Sequence, residues 1–392
     1  MLKKYSSGPV KVPFIHSKLP DLSTTIFTVV NQLANTNGAV NLAQGFPDFE
    51  APQPLIAMVH EAMGQNYNQY APMAGVLDLR ETLVQKIEKL YGKSYHPETE
   101  ITITAGATQA IFTTISAFVN KGDEVIILTP AYDCYQPAIA LQGGVCVPVE
   151  LTGIDFRLDI NKIREAITDK TKMLIVNTPH NPSGKTLSKN DMLALQDLLR
   201  NTNIIVLSDE VYEHIIFDDL SHQSAARFSG LAERSIICAS FGKTFHVTGW
   251  KIGYCVGPET LMQEFRKVHQ YNVFSVGHPV QIGLNNYLKN ERNYLSLGHF
   301  YSEKRDYFLN AITSSRFTFT PSMGTFFQLL DYSAISEATD MNFVEYLIKE
   351  HKIASIPISV FGTSQQQRYQ IRFCFAKKKE TLDKAAEILN QI

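Results

Sequence analysis

The chain has 392 residues, 44% hydrophobic and 19% charged. That is enough apolar material for more than one buried core, and too much for a disordered or low-complexity chain. Thirty-six Lys and Arg against 38 Asp and Glu leave a formal charge of −2, which argues against a surface dedicated to nucleic acid or anionic membrane.

Lys3 and Lys4 precede no apolar run of the kind a secretory leader needs. No stretch reaches the roughly 18 apolar residues of a membrane span, so a soluble cytoplasmic protein is expected. A short helical pattern over residues 26–34 is stopped by the polar run 35–38. Val76, Leu79, Leu83, Ile87 and Leu90 then recur at three- and four-residue steps, with Gly92 where a helix would end. Short apolar runs at 101–104, 125–129, 172–178, 204–207 and 235–239 alternate with helical segments, among them 108–120 and one opened by Ser188 with Asp191 three residues on. Strands that are apolar on both faces and alternate with helices imply an α/β fold with a mainly parallel sheet covered on both sides.

Beyond about residue 290 the pattern changes. One long amphipathic helix over 294–314 is expected, then strands at 316–320, 325–331 and 369–375 with helices between and after. The expected division is an N-terminal segment 1–45 packing on a small domain, a large domain 46–290 and a small C-terminal α/β domain 291–392. The five cysteines, Cys134, Cys146, Cys238, Cys255 and Cys374, show no CxxC pair or Cys/His cluster. Each is expected to be a reduced, buried small side chain, with no metal site.

Four segments place polar residues at strand ends, where open α/β sheets bind ligands. Thr104-Ala105-Gly106-Ala107-Thr108-Gln109 joins a strand to a helix N-terminus and offers free N–H groups to a phosphate; alone it reads more readily as an ordinary tight turn. Asn177-Thr178-Pro179-His180-Asn181-Pro182-Ser183-Gly184-Lys185 holds the Asn181 amide between two prolines, or simply ends a strand. In Ser208-Asp209-Glu210-Val211-Tyr212 an acid closes an apolar strand, costly to bury without a cation or donor. It could face a ring N–H⁺, or cap the next element. Ser240-Phe241-Gly242-Lys243-Thr244, continuing to Lys251, puts a lysine just after a strand. A partly buried lysine loses its proton readily and suits Schiff-base chemistry; a lone lysine is otherwise a surface residue. In this order the four segments are the parts needed to hold pyridoxal phosphate, which requires a Lys for its aldehyde and an acid for its ring nitrogen.

With Asn41-Leu-Ala-Gln-Gly-Phe-Pro-Asp-Phe49, Asn68-Gln-Tyr-Ala-Pro-Met-Ala-Gly75, Ala131-Tyr-Asp-Cys-Tyr135, Asp209-Glu-Val-Tyr-Glu213 and Ile371-Arg-Phe-Cys-Phe-Ala376, the chain resembles a class I aminotransferase of pyridoxal-phosphate fold type I. Within that group it is most similar to the methionine aminotransferase and kynurenine–oxoglutarate aminotransferase branch. The resemblance implies a seven-stranded sheet in the large domain and ping-pong transfer of an amino group to a 2-oxo acid. It implies Lys243 as the cofactor lysine and proton carrier, Asp209 as the acid at the pyridine nitrogen, and Asn181 and Tyr212 as donors to the ring hydroxyl. Tyr132 would stack on the ring. Gly106, Ala107, Thr108, Ser240 and Lys251 would meet the phosphate, with Tyr70 reaching it from a neighbouring subunit of a homodimer. Arg372 and the Gly45 backbone would hold the substrate carboxylate, and Asn181, Tyr132 and Phe27 would also line the substrate.

Several positions depart from the kynurenine enzymes: His180 replaces an Asn, Thr108 a tyrosine, Phe27 a tryptophan and Ser275 a histidine. Methionine is therefore the expected donor, with aromatic amino acids, glutamine and kynurenine as further candidates. A cysteine-conjugate or cystathionine β-lyase would use the same lysine. A pyridoxal-sensing regulator would need a DNA-binding part before the Gln44 turn, where only about forty residues stand.

Overall fold

A computed structural model of the chain describes residues 15–362 and 367–392. Residues 1–14, which include Lys3, Lys4 and the start of the expected N-terminal segment, lie outside the described residues. The strands in chain order are Val40–Asn41 (β1), Ile101–Thr104 (β2), Glu124–Thr129 (β3), Val145–Glu150 (β4), Thr171–Asn177 (β5), Ile205–Asp209 (β6), Ser235–Ser240 (β7), Gly253–Val256 (β8), Phe327–Asp331 (β9), Ile353–Ala354 (β10), Ile356–Pro357 (β11) and Gln370–Cys374 (β12).

Seven of them form one sheet in the order β2-β8-β7-β6-β5-β3-β4. Strands β3 to β7 run parallel; β3, β5, β6 and β7 are the buried apolar runs seen in the sequence, whereas the edge strand β4, with Val145 exposed, was not among them. The pleat divides their side chains between two cores: Leu174 and Val206 lie in one, Met173, Ile205 and Cys238 in the other.

Strand β8 runs antiparallel to both β2 and β7. Between Ser240 and Gly253 the chain makes only the four-residue helix Phe241–Thr244 and a 3-10 turn. That is too little for the crossover a parallel strand requires, so the chain turns back on itself. Gly253 permits the return, because a Cβ there would meet the Ala239 carbonyl oxygen at 2.5 Å.

The expected helices at 26–34 and 76–90 are Ile26–Asn37 and Leu77–Tyr91, closed by left-handed Gly38 and Gly92. The helix Lys189–Leu199 carries the full reciprocal cap between Ser188 and Asp191. Three expectations need correction. The long helix divides at Ser296 into Arg292–Leu295 and Leu297–Ala311, where the Ser296 hydroxyl donates back to the Arg292 carbonyl at 2.7 Å. Residues 316–320 form no strand, only an isolated bridge from Thr318 to Asp331. Cys134 and Cys146 are half-buried, unlike the other three cysteines.

A second, antiparallel sheet has the order β11-β12-β9. Strand β1 pairs in parallel with β10, tying residues 40–41 to 353–354. One apolar core runs from this region to the face of the large sheet. It brings β12 over the carboxyl ends of β5, β6 and β7. Among the described residues no helix is long and apolar enough to cross a membrane.

Candidate active site

A cavity of about 310 Å³ opens at the carboxyl ends of the parallel strands. Strand register explains much of its floor. Asn177 ends β5 opposite Asp209, which ends β6, and Asp209 is opposite Cys238 on β7. Ser240 and Lys243 follow directly. Lys243, Asp209, Tyr212, Asn181, Tyr132, Gly106, Ala107, Thr108, Ser240, Lys251, Arg372, Gly45 and Phe27 all line the one cavity. Of the expected site residues only Tyr70 lies elsewhere, 81% exposed and edge-on to Phe274.

Asp209 is 3% exposed. Burial pushes its carboxyl up to about 6, against the hydroxyl of Tyr135, which donates to Oδ2 at 2.6 Å, and the Val211 N–H at 3.3 Å on Oδ1. Lys243 follows β7 in the short helix Phe241–Thr244. Its ammonium faces the Phe326 ring at 5.4 Å and donates to the Gly45 carbonyl at 3.3 Å. Burial lowers it to about 8, assisted by the positive charges of Arg372 and Lys251, so a substantial fraction is neutral amine near physiological pH.

Arg372 sits mid-strand in β12 and is 1% exposed. Burial lowers its guanidinium to about 10, which leaves it charged. It stacks on Phe327 at 3.9 Å, and its Nη1 donates to Asn181 Oδ1 at 2.6 Å. The Nε is buried without an acceptor among the described residues, a donor aimed at something the protein does not supply. Since a guanidinium only donates, Asn181 must turn its oxygen toward Arg372, and its Nδ2 is left to donate elsewhere. Tyr212 packs edge-on against Phe326 and Phe327, and burial pushes its hydroxyl well above the ordinary value, so it is a neutral donor. Burial likewise raises Tyr132, whose ring stands edge-on to Tyr135 at 5.9 Å.

At the other end of the cavity the helix Ala107–Phe118 begins, with Gly106 as its cap at φ +78. A Cβ on Gly106 would reach 3.5 Å from Lys251 Nζ. Lys251 holds a left-handed conformation, φ 51, that turns it back toward this helix end. No carboxylate pairs with Lys251 among the described residues. Helix N–H groups, the Ser240 hydroxyl and an unpaired ammonium form an anion seat.

This order of parts on an α/β sheet narrows the fold to one family, and the family model "Aminotransferase class I and II" matches residues 37–389. The chain belongs to the class I and II aminotransferases. It is accordingly an enzyme that transfers amino groups between amino acids and 2-oxo acids with pyridoxal 5'-phosphate. It is 47% identical over 377 residues to the methionine aminotransferase of Escherichia coli strain K12, covering 96% of this chain and 98% of that protein. The crystal structure of E. coli YbdL, described as having a methionine aminotransferase function, superposes with a TM-score of 0.95 at 47% identity, over 97% of this chain and all of that one. Kynurenine–oxoglutarate transaminase 1 of Rattus norvegicus is 31% identical, over 95% of this chain and 97% of that protein.

The residues present fit the cofactor of this aminotransferase family. The anion seat suits a phosphate. Asp209, buried and close to losing its charge, suits a ring N–H⁺ that would keep it ionised. The spare Asn181 amide and the Tyr212 hydroxyl suit a phenolate oxygen. Tyr135, Asn177, Gln44 and Phe46 stand in the motifs quoted above without a role of their own, and Asn31 and Phe327 in none of them; Tyr135 reaches the site through Asp209 and the other five line the cavity. Tyr135 had a signal, standing three residues after Tyr132 at the start of the helix Tyr135–Leu141. Phe327 had none, because only the folded β9 lays it against Arg372.

Proposed function

We propose that this aminotransferase takes methionine as its amino donor, with aromatic amino acids, glutamine and kynurenine as further substrates. The observation that carries the reading is the charge inventory of the cavity. Its cations are Lys243, Lys251 and Arg372. One belongs to the chemistry, one to the phosphate and one to the α-carboxylate, so no cation remains for a second carboxylate on the donor. Phe27 and Phe327 stand against Arg372 and Phe46 lines the same cavity, which favours an apolar side chain, and a thioether packs well at ring edges. The 47% identity to a methionine aminotransferase supports the same donor.

In this reading Arg372 binds the α-carboxylate through two parallel donors, assisted by the Gly45 backbone. Asp209 would hold the ring nitrogen, Asn181 and Tyr212 would donate to the ring oxygen, and Tyr132 would pack on the ring. Gly106, Ala107, Thr108, Ser240 and Lys251 hold the phosphate. The cofactor supplies an electron sink for charge developing at the donor Cα. Lys243 would hold the cofactor's aldehyde, and its Nζ, lowered by burial to about 8, would serve as the base that takes the donor's α-proton and gives it back. Tyr70, exposed and outside its own cavity, is available to the phosphate seat of a partner subunit in a homodimer. A cytoplasmic location accords with five cysteines free of disulfides.

The test is the visible absorption of the purified holoenzyme on adding methionine, then kynurenine, with no oxo acid present. Conversion of the cofactor to its pyridoxamine form at lower methionine than kynurenine concentration is expected. Conversion by kynurenine alone would overturn the donor assignment. A persistent cofactor band with accumulating 2-oxo acid and ammonia would indicate elimination.

A further inference from the structure

Lys377 is 3% exposed, and no carboxylate pairs with it among the described residues. Its Nζ donates instead to two backbone carbonyls, Phe46 at 2.9 Å and Gln44 at 3.5 Å, and faces the Phe46 ring at 5.4 Å. Lys377 is held in turn, since Lys304 Nζ donates to its carbonyl at 2.9 Å. An ammonium only donates, so these two contacts fix the direction in which the Gln44 and Phe46 carbonyl oxygens point.

Those peptides flank Gly45. The strap is pinned at both ends, by Asn41 Oδ1, which accepts from the Ala43 N–H at 3.0 Å, and by Asp48, which accepts from the Lys378 N–H and the Thr381 hydroxyl. Between the pins, the Gly45 carbonyl accepts from Lys243. A trans peptide sets its C=O and N–H on opposite sides. With the Gln44 carbonyl drawn toward Lys377, behind the strap, the Gly45 N–H is turned toward the cavity that Gly45 lines. That N–H has no protein acceptor among the described residues, and a Cβ on Gly45 would lie 4.0 Å from Arg372 Nη2.

We propose that Lys377 is a positioning residue for substrate carboxylate. It holds the Gln44 and Phe46 carbonyls away from the cavity, so that the Gly45 N–H and Arg372 together present donors to one carboxylate. Without Lys377 those two carbonyl oxygens are free to turn inward, where they repel the same anion. The inference rests on Arg372 and Gly45 being the carboxylate site.

The experiment uses the pyridoxal-phosphate-loaded enzyme and two small alkoxyamines that bleach the cofactor's absorption. Aminooxyacetate carries a carboxylate and methoxyamine does not. Lys377→Met should slow bleaching by aminooxyacetate about tenfold, the scale of one lost charged hydrogen bond. It should leave methoxyamine within about twofold, and KM for methionine should rise more than kcat falls. Lys377→Arg, which keeps charge and donors, should restore most of the difference. Equal slowing with both reagents, or no slowing with either, overturns the proposal. Arg372→Gln run alongside separates the two readings. If it leaves the ratio of the two rates unchanged, the carboxylate site itself is misassigned. If it collapses the ratio while Lys377→Met does not, only the role of Lys377 fails. Where Lys377→Met does not accumulate as folded protein, Lys377→Gln carries the same comparison.

Discussion

Arg372 Nη1 donates to Asn181 Oδ1 at 2.6 Å, joining a strand of the second sheet to the loop after β5. The bond does two things. It holds the guanidinium at the Phe327 face, and it decides which end of the Asn181 amide faces the cavity. The proposed substrate anchor and the proposed cofactor donor are therefore coupled through one contact.

Replacing Arg372 with Lys should accordingly damage both functions. A point charge lacks the fork that meets a carboxylate while still reaching Asn181. KM for amino and oxo acids should rise about 100-fold, the scale of 2–3 kcal/mol for a truncated buried charge contact. Cofactor retention on dialysis should fall as well, because the Asn181 amide is freed to rotate. Steady-state kinetics and absorption after dialysis read the two effects separately.

Tyr135 donates to Asp209 and holds down a carboxyl that burial raises. Tyr135→Phe removes that stabilisation of the charged form, so the Asp209 carboxyl rises further. In the cofactor-free enzyme Asp209 protonates as pH falls through about 6, and the acid form cannot attract a ring N–H⁺. Affinity for pyridoxal phosphate should thus decline below about pH 6, and the decline should begin at higher pH in Tyr135→Phe. Fluorescence titration with the cofactor across pH 5 to 8 measures the midpoint, on the order of one unit apart.

Gly45→Ala tests the proposed carboxylate pocket sterically. The new Cβ would meet Phe327 Cζ at 2.9 Å, tighter than real contacts. Phe327 must shift to make room, and its ring is the one against which the Arg372 guanidinium stacks at 3.9 Å. KM for methionine should rise about tenfold, and a second change, Phe327→Leu, should recover part of the loss. Kinetics of the single and double variants check it.

Outside the lining of the cavity, Lys86 and Glu213 form an ion pair at 2.7 Å, each side chain 5% exposed, with Tyr254 and Tyr91 donating to the carboxylate. Burial pushes Glu213 up, but Lys86 and its neighbours outweigh it and hold the carboxyl well below its usual range. Lys86→Met should cost about 3–5 kcal/mol in urea unfolding, because the carboxylate stays buried and unpaired. A depressed carboxyl contributes stability that is present above its unfolded value near 4.3 and lost as pH falls below it. The difference between wild type and variant should therefore be full at pH 7 and shrink under acid.

The α/β class, the parallel strands and their helices were legible in the residue order because each is a local pattern. Continuous apolar runs mark strands buried on both faces, and Gly38, Gly92 and Ser188 end or begin helices by their own backbone and side-chain chemistry. Polar residues at strand ends were legible for the same reason, which is why Lys243, Asp209 and Asn181 could be named from the chain. The short β8 was not, and its antiparallel direction is set by the brevity of the connection after β7 rather than by a pattern within it.

Contacts between distant segments lay beyond the sequence altogether. Tyr135 reaching Asp209, Phe327 beneath Arg372, and Lys377 behind the Gln44–Gly45 peptide join residues 74, 45 and 333 positions apart. Local patterns record which face of an element is apolar, but burial of a shared core sets which elements meet. Only that meeting decides which donors converge on one anion.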